Sequence, residues 1–207
     1  MSSPDQIHVG EREKETGVII PENPADYLND LFERTPDFIY TAADIPDNKE
    51  REEKQIAIER HRKRLQEALP KLPDLGKEYA QLLRTFCEQL GFDPGKIRAY
   101  LVGGRAYGKP LIETSDFDLI LTVEKQGQGL QTSLSDSGEV AALKRKQYEK
   151  WSEKSFDIAR KYNLTDGGDE NETSLIETKG FGAETNDEFI VSNSNVPERR
   201  AVLIYSE

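Results

Sequence analysis

Two aspartates one residue apart, Asp116 and Asp118, open the apolar run FDLILTV. In a strand, residues i and i+2 project from one face, so the two carboxylates stand together while Phe117, Leu119 and Leu121 point into the core. Two adjacent anions repel unless a cation lies between them, and a hard divalent ion such as Mg2+ takes oxygen ligands. The pair is therefore a candidate metal site. Upstream, the run IRAYLV ends in Gly103-Gly104 followed by Arg105. Glycines at a strand end let backbone N–H groups approach an anion closely, and a guanidinium adds a charged fork. A phosphate-bearing ligand fits such a turn. Metal carboxylates facing a phosphate cradle are the layout of phosphoryl or nucleotidyl transfer, in which metals activate the attacking oxygen and steady the leaving group.

Both motifs need strands to carry them and helices to cover the strands. Residues 97–102 and 117–123 read as strands joined by the glycine turn and a polar loop. Before them, Asn23-Pro24 starts a short helix with Tyr27, Leu28, Leu31 and Phe32 on one side, stopped at Thr35-Pro36. Residues 49–69 form a helix with a thin apolar stripe at Ile56, Ile58, Leu65 and Leu69, closed by Pro70. Its HRKR cluster at 61–64, His61 included, reads as a solvated face. Asp74 caps a second helix, whose Tyr79, Leu82, Leu83, Phe86 and Leu90 make a broad core face and which Gly91 ends.

Residues 126–138 are a surface loop, and a long helix follows from 139 to about 162 with Ala142, Leu143, Tyr148, Trp151, Phe156, Ile158 and Ala159 on its apolar side. Asp157 faces solvent on that helix. The acidic stretch TDGGDENE at 165–172 is a loop without the ligand alternation of a calcium loop. Short strands are expected at 175–178, 189–191 and 201–205.

The chain of 207 residues divides by this reading into an N-terminal extension, 1–48, and a main α/β domain, 49–207. The extension is flexible or docked: residues 1–23 carry only the short cluster GVII, and the one short helix follows it. A net charge of -11 repels long polyanions, so sequence-specific DNA binding is not expected. No run approaches the ~20 apolar residues of a membrane span, and the first thirty residues lack the blocks of a signal peptide, so a cytoplasmic location without membrane association is expected. The single cysteine, Cys87, sits in LLRTFCEQLG and reads as a small buried side chain rather than a nucleophile.

Gly103-Gly104-Arg105-Ala106-Tyr107-Gly108, followed by Ser115-Asp116-Phe117-Asp118-Leu119, resembles the signature of the nucleotidyltransferase superfamily of the DNA polymerase beta type, especially its small bacterial and archaeal members. The similarity covers about 25 residues, or about 60 with the preceding helix. It implies an α+β fold in which a mixed, antiparallel-centred sheet is flanked by helices. It also implies two Mg2+ ions on the aspartates and a nucleoside triphosphate on the glycine turn, with Gly103, Gly104, Arg105 and Ser115 as nucleotide-binding residues. Two positions depart from the pattern. Many members carry serine where Gly104 stands, which removes a hydroxyl contact to the triphosphate. The third carboxylate of such sites sits on a later strand, where Glu177 in SLIETK is the choice and Glu188 in NDEFIV the rival. The acceptor is open: a protein, an RNA end or a small molecule.

The tail IETKGFGAETNDEFIVSNSNVPERRAVLIYSE is similar to the end of outer-membrane protein A-like peptidoglycan-binding domains. That likeness implies a noncatalytic cell-wall binder, although the Gly-His-Thr-Asp segment of such domains is missing. A third expectation is an inactive nucleotidyltransferase-like protein that binds a nucleotide or a partner without turnover.

Overall fold

The computed structural model describes residues 17–89, 91, 93–124, 138–167, 172–184 and 200–207, with the backbone alone over 138–148 and 179–184. Its centre is a five-stranded mixed sheet. In chain order the strands are β1 (Gly17–Ile19), β2 (Ile97–Val102), β3 (Phe117–Val123), β6 (Ile176–Glu184) and β7 (Arg200–Ser206). Their order across the sheet is β1-β7-β2-β3-β6. The inner pairs β7-β2 and β2-β3 are antiparallel, and the outer pairs β1-β7 and β3-β6 are parallel. A small antiparallel ladder, β4 (Thr165–Asp166) with β5 (Thr173–Ser174), stands apart. The fold is thus mixed α and β, with helices flanking a mixed sheet.

β2 and β3 form where the sequence predicts them because nearly every residue in them is apolar and turn residues bound them on both sides. Alternate residues face the helices: Ile97, Ala99 and Leu101 of β2, with Phe117, Leu119, Leu121 and Val123 of β3, enter the main core. Tyr100, Val102 and Ile120 join Ala201 in a smaller cluster on the opposite face. The helices are α1 (Pro24–Glu33), α2 (Asn48–Ala68), α3 (Leu72–Gln89), the single turn α4 (Gly104–Tyr107) and α5 (Gly138–Lys161).

α3 lies directly on the sheet. A Cβ at Gly76 would come within 2.8 Å of Tyr205 Cβ, so only glycine lets the helix approach β7 this closely. On its other side, Tyr79 and Phe86 pack against Trp151 of α5, with ring centroids 6.4 and 6.0 Å apart, and the Tyr79 hydroxyl meets Ser155 Oγ at 3.0 Å. Cys87 is buried, as its apolar neighbours predict, and burial pushes its thiol up to about 12, far from nucleophilic use.

Several expectations change. From residue 17 on, the N-terminal extension takes the docked one of its two expected states: Gly17–Ile19 adds an edge strand alongside β7, and Leu28 and Phe32 of α1 enter the main core. Ile56 does not belong to the apolar stripe of α2, being 62% exposed. At 100° per residue it points about 200° away from Ile58, whereas Ile58, His61, Leu65 and Ala68 follow one another along a single side. His61 is accordingly buried rather than solvated, and Arg62 and Arg64 are largely covered. The helix at 74 begins two residues earlier, at Leu72, running on from a 3-10 turn at Leu69–Lys71, with Asp74 in its first turn. The expected strand at 175–178 extends to nine residues, Ile176–Glu184, along the sheet edge. The strand expected at 189–191, Leu90 and Glu188 lie outside the described residues.

Candidate metal centre

Asp116 and Asp118 flank the first residue of β3, and the antiparallel register places Asp118 opposite Val102, the last residue of β2. On the other side, β6 runs parallel to β3 with Glu177 directly across from Asp118. Three carboxylates from two strands are thereby brought together: one oxygen from each lies within 4.8 Å of one from each of the others. Asp116 and Asp118 are half-buried and Glu177 is exposed, so the cluster opens to solvent on one side. The sequence choice of Glu177 as third carboxylate converges on the aspartates.

The glycine turn closes over the same carboxylates. Gly103 has φ 69° and ψ −160°, a conformation that is essentially glycine's alone. A Cβ built there would lie 2.1 Å from Asp118 Oδ2, so the missing side chain is what leaves room for the carboxylate. Gly104 is different: a Cβ there would meet Lys109 Cβ at 3.4 Å, an ordinary contact. The turn then winds into α4, with Ala106 N–H donating to Gly103 O at 3.0 Å and Lys109 N–H to Gly104 O at 3.0 Å.

Arg105 and Ser115, expected at a bound nucleotide, are turned inward. Arg105 is only 6% exposed, and its Nη2 donates to the carbonyls of Lys109 at 2.8 Å and Pro110 at 3.3 Å. Burial pulls its pKa down to about 10, against the raising influence of Tyr107, Asp116 and Asp118. The guanidinium is therefore a fixed positive charge beside the aspartates, and it braces the loop that leads into β3. Its Nη1 has no hydrogen-bond partner among the described residues. Ser115 is buried as well. Its Oγ accepts from Ile112 N–H at 2.9 Å while Ser115 N–H donates to Ile112 O at 3.0 Å, which closes a tight turn just before Asp116.

Two polar clamps on the segments that lead into the carboxylate strands had no local signal in the sequence, because their partners are far apart along the chain. Glu113, three residues before Asp116, accepts from Tyr40 Oη at 2.6 Å and Lys54 Nζ at 2.5 Å. Burial raises the Glu113 pKa, but these two donors lower it further, leaving it below the usual range, and the same contact pushes Tyr40 up to about 12. The second clamp surrounds Asp166, which takes Arg60, His61 and Arg64 of α2 at 2.9, 2.7 and 2.6 Å. Three of the four HRKR residues are thus committed to internal partners, His61 and Arg64 to Asp166, and Arg62 to Asp37 at 2.7 Å and to the carbonyls of Phe32 and Thr35, while Lys63 is exposed.

Among the described residues the donor set fits a hard divalent cation: three carboxylates, no nitrogen or sulfur, and a backbone kept clear of Asp118 by a residue without a side chain. No helix among the described residues is long and apolar enough to cross a membrane. No protein-family model, no curated protein and no solved structure matches the chain.

Proposed function

We propose that this protein transfers a nucleotidyl group from a nucleoside triphosphate to an acceptor, with Asp116, Asp118 and Glu177 as the ligands of Mg2+. The observation that carries this reading is the convergence of a third carboxylate, from a strand some sixty residues later, on an aspartate pair whose second member is given room by Gly103. A carboxylate pair alone is common. Three carboxylates offering one oxygen each within 4.8 Å of one another have the spacing that a shared hard cation takes. Mg2+ held there would polarise a phosphoryl oxygen and lower the pKa of an attacking hydroxyl. The chain's own part is to fix the three ligands, to hold the Gly103-Gly104 turn beside them for the phosphates, and to keep the buried Arg105 as a counter-charge that the two aspartates feel. The sequence likeness to nucleotidyltransferases of the DNA polymerase beta type supports the same reaction. The acceptor class is a protein hydroxyl, an RNA end or a small alcohol.

The test is label transfer from each α-labelled nucleoside triphosphate in the presence of Mg2+, to the protein itself and to cell extract. Asp116→Asn and Asp118→Asn keep the side-chain size and remove the charge, so transfer is expected to fall close to background in both. Melting without metal is expected to hold, because one of two repelling charges is gone. Transfer that persists in both variants overturns the assignment. A lowered melting temperature in both, with no transfer by the wild type, returns the aspartates to a purely structural role.

A further inference from the structure

We infer that Asp166, on the short β4-β5 ladder that precedes β6, is a positioning residue for Glu177. This inference rests on the metal-centre reading of the preceding section. Glu177 is the second residue of β6, an edge strand whose only sheet partner among the described residues is β3. What fixes the start of that strand lies upstream. Leu175 N–H donates to Leu164 O at 2.8 Å, and Leu175 O accepts from Phe117 N–H at 2.9 Å. Ser174 pairs with Thr165, and Ser174 Oγ bonds the backbone of Ile176. The approach to Glu177 therefore hangs from the ladder on one side and from β3 on the other.

A ladder of two residues per strand does not hold itself in water. It is fastened through Asp166, whose carboxylate is mostly covered and engages three cationic or potentially cationic side chains of α2. Arg64 also donates to the carbonyl of Thr165. His61 is buried in the core side of α2, so the helix itself cannot shift without disturbing the core. Burying a charged group is costly unless it has its partners, and the Asp166 carboxylate has three, all from α2. The consequence is a continuous rigid path: the α2 core, Asp166, the ladder, Leu175, then Glu177 opposite Asp118.

The experiment is a thermodynamic cycle read by Mn2+ binding alone, followed by electron paramagnetic resonance, on the wild type, Asp166→Asn, Glu177→Gln and the double variant, each checked by circular dichroism to be folded at the temperature used. If Asp166 acts through Glu177, Asp166→Asn weakens Mn2+ binding about tenfold in the wild-type background, at the lower end of what outer supporting residues cost a metal site. In the Glu177→Gln background it changes binding by less than about twofold, because the ligand it positions is already gone. Equal losses in both backgrounds, or none in either, overturn the inference and leave Asp166 as a fold-stabilising group only. If Asp166→Asn does not fold, Arg64→Gln removes one pin from the opposite side and carries the same comparison with the same outcomes. Mn2+ binding by the wild type that is unaffected by Asp118→Asn overturns the metal centre itself and this inference with it, a result distinct from a wild type that needs Asp118 and Glu177 but ignores Asp166.

Discussion

Replacing Gly103 by alanine places a methyl group 2.1 Å from Asp118 Oδ2, more than an ångström inside the contact distance that a carbon and an oxygen tolerate. Two costs follow. The backbone at φ 69° and ψ −160° is nearly closed to any residue with a Cβ, a strain of about 1–3 kcal/mol. The overlap must then be relieved by moving either the turn or the Asp118 side chain, and the side chain is the softer of the two. For a chain of this length the strain corresponds to a melting temperature lower by about 2–12 °C. The displaced carboxylate no longer meets Asp116 and Glu177, so Mn2+ or Mg2+ affinity and label transfer are expected to fall together. Gly104→Ala is the matched control. Its Cβ meets only Lys109, at 3.4 Å, and Gly104 begins a helical turn in which alanine is favoured over glycine. It is expected to melt at or above the wild-type temperature and to bind metal normally. The assay is calorimetric metal titration beside thermal melting for the three proteins. Wild-type metal affinity in Gly103→Ala, or equal losses in both variants, would refute the claim that the glycine exists to make room for the carboxylate.

Arg105→Met keeps the apolar length of the side chain but removes the bonds to the Lys109 and Pro110 carbonyls, so it is expected to destabilise by about 1–3 kcal/mol in chemical denaturation, with a larger effect on stability than on triphosphate affinity. Asp166 has its pKa lowered from 3.8 to about 2: burial alone would raise it, but the His61 contact, the Gly167 N–H and the neighbouring arginine outweigh that. A depressed carboxylate stabilises above its unfolded value and loses that contribution as the pH falls, so the stability difference between wild type and Asp166→Asn should be fully present above pH 4 and shrink between about pH 4 and 2. Urea unfolding at stepped pH measures it, and a difference that stays constant across that window would count against the ion cluster.

How much of this architecture the chain announces locally depends on whether the partner is near in sequence. β2 and β3 are legible to the residue, because glycine and polar turns bracket two apolar runs, and the spacing of Asp116 and Asp118 fixes their common face before any fold is known. The stripe of α2 was half legible. Its true side passes through a histidine, which no apolar count includes, whereas Ile56, apolar in the sequence, points to solvent. The basic run on that helix looks like a solvated face because Glu59 and Glu67, at helical spacing from it, suffice to neutralise it locally. Its partners, Asp37 and Asp166, lie 25 and more than 100 residues away.

Glu177 sits between these cases. Its place on an apolar strand late in the chain is visible, but its distance from the aspartates is set by a parallel edge pairing, and a parallel strand carries no turn that would declare its register. In a strand with one sheet partner among the described residues and two register shifts against it, backbone bonds alone hold position loosely. What a carboxylate ligand needs in such a place is an anchor outside the sheet. The charge-rich helix that reads as surface supplies that anchor, which is why the residues least suggestive of function in the sequence are the ones that the geometry of the site depends on.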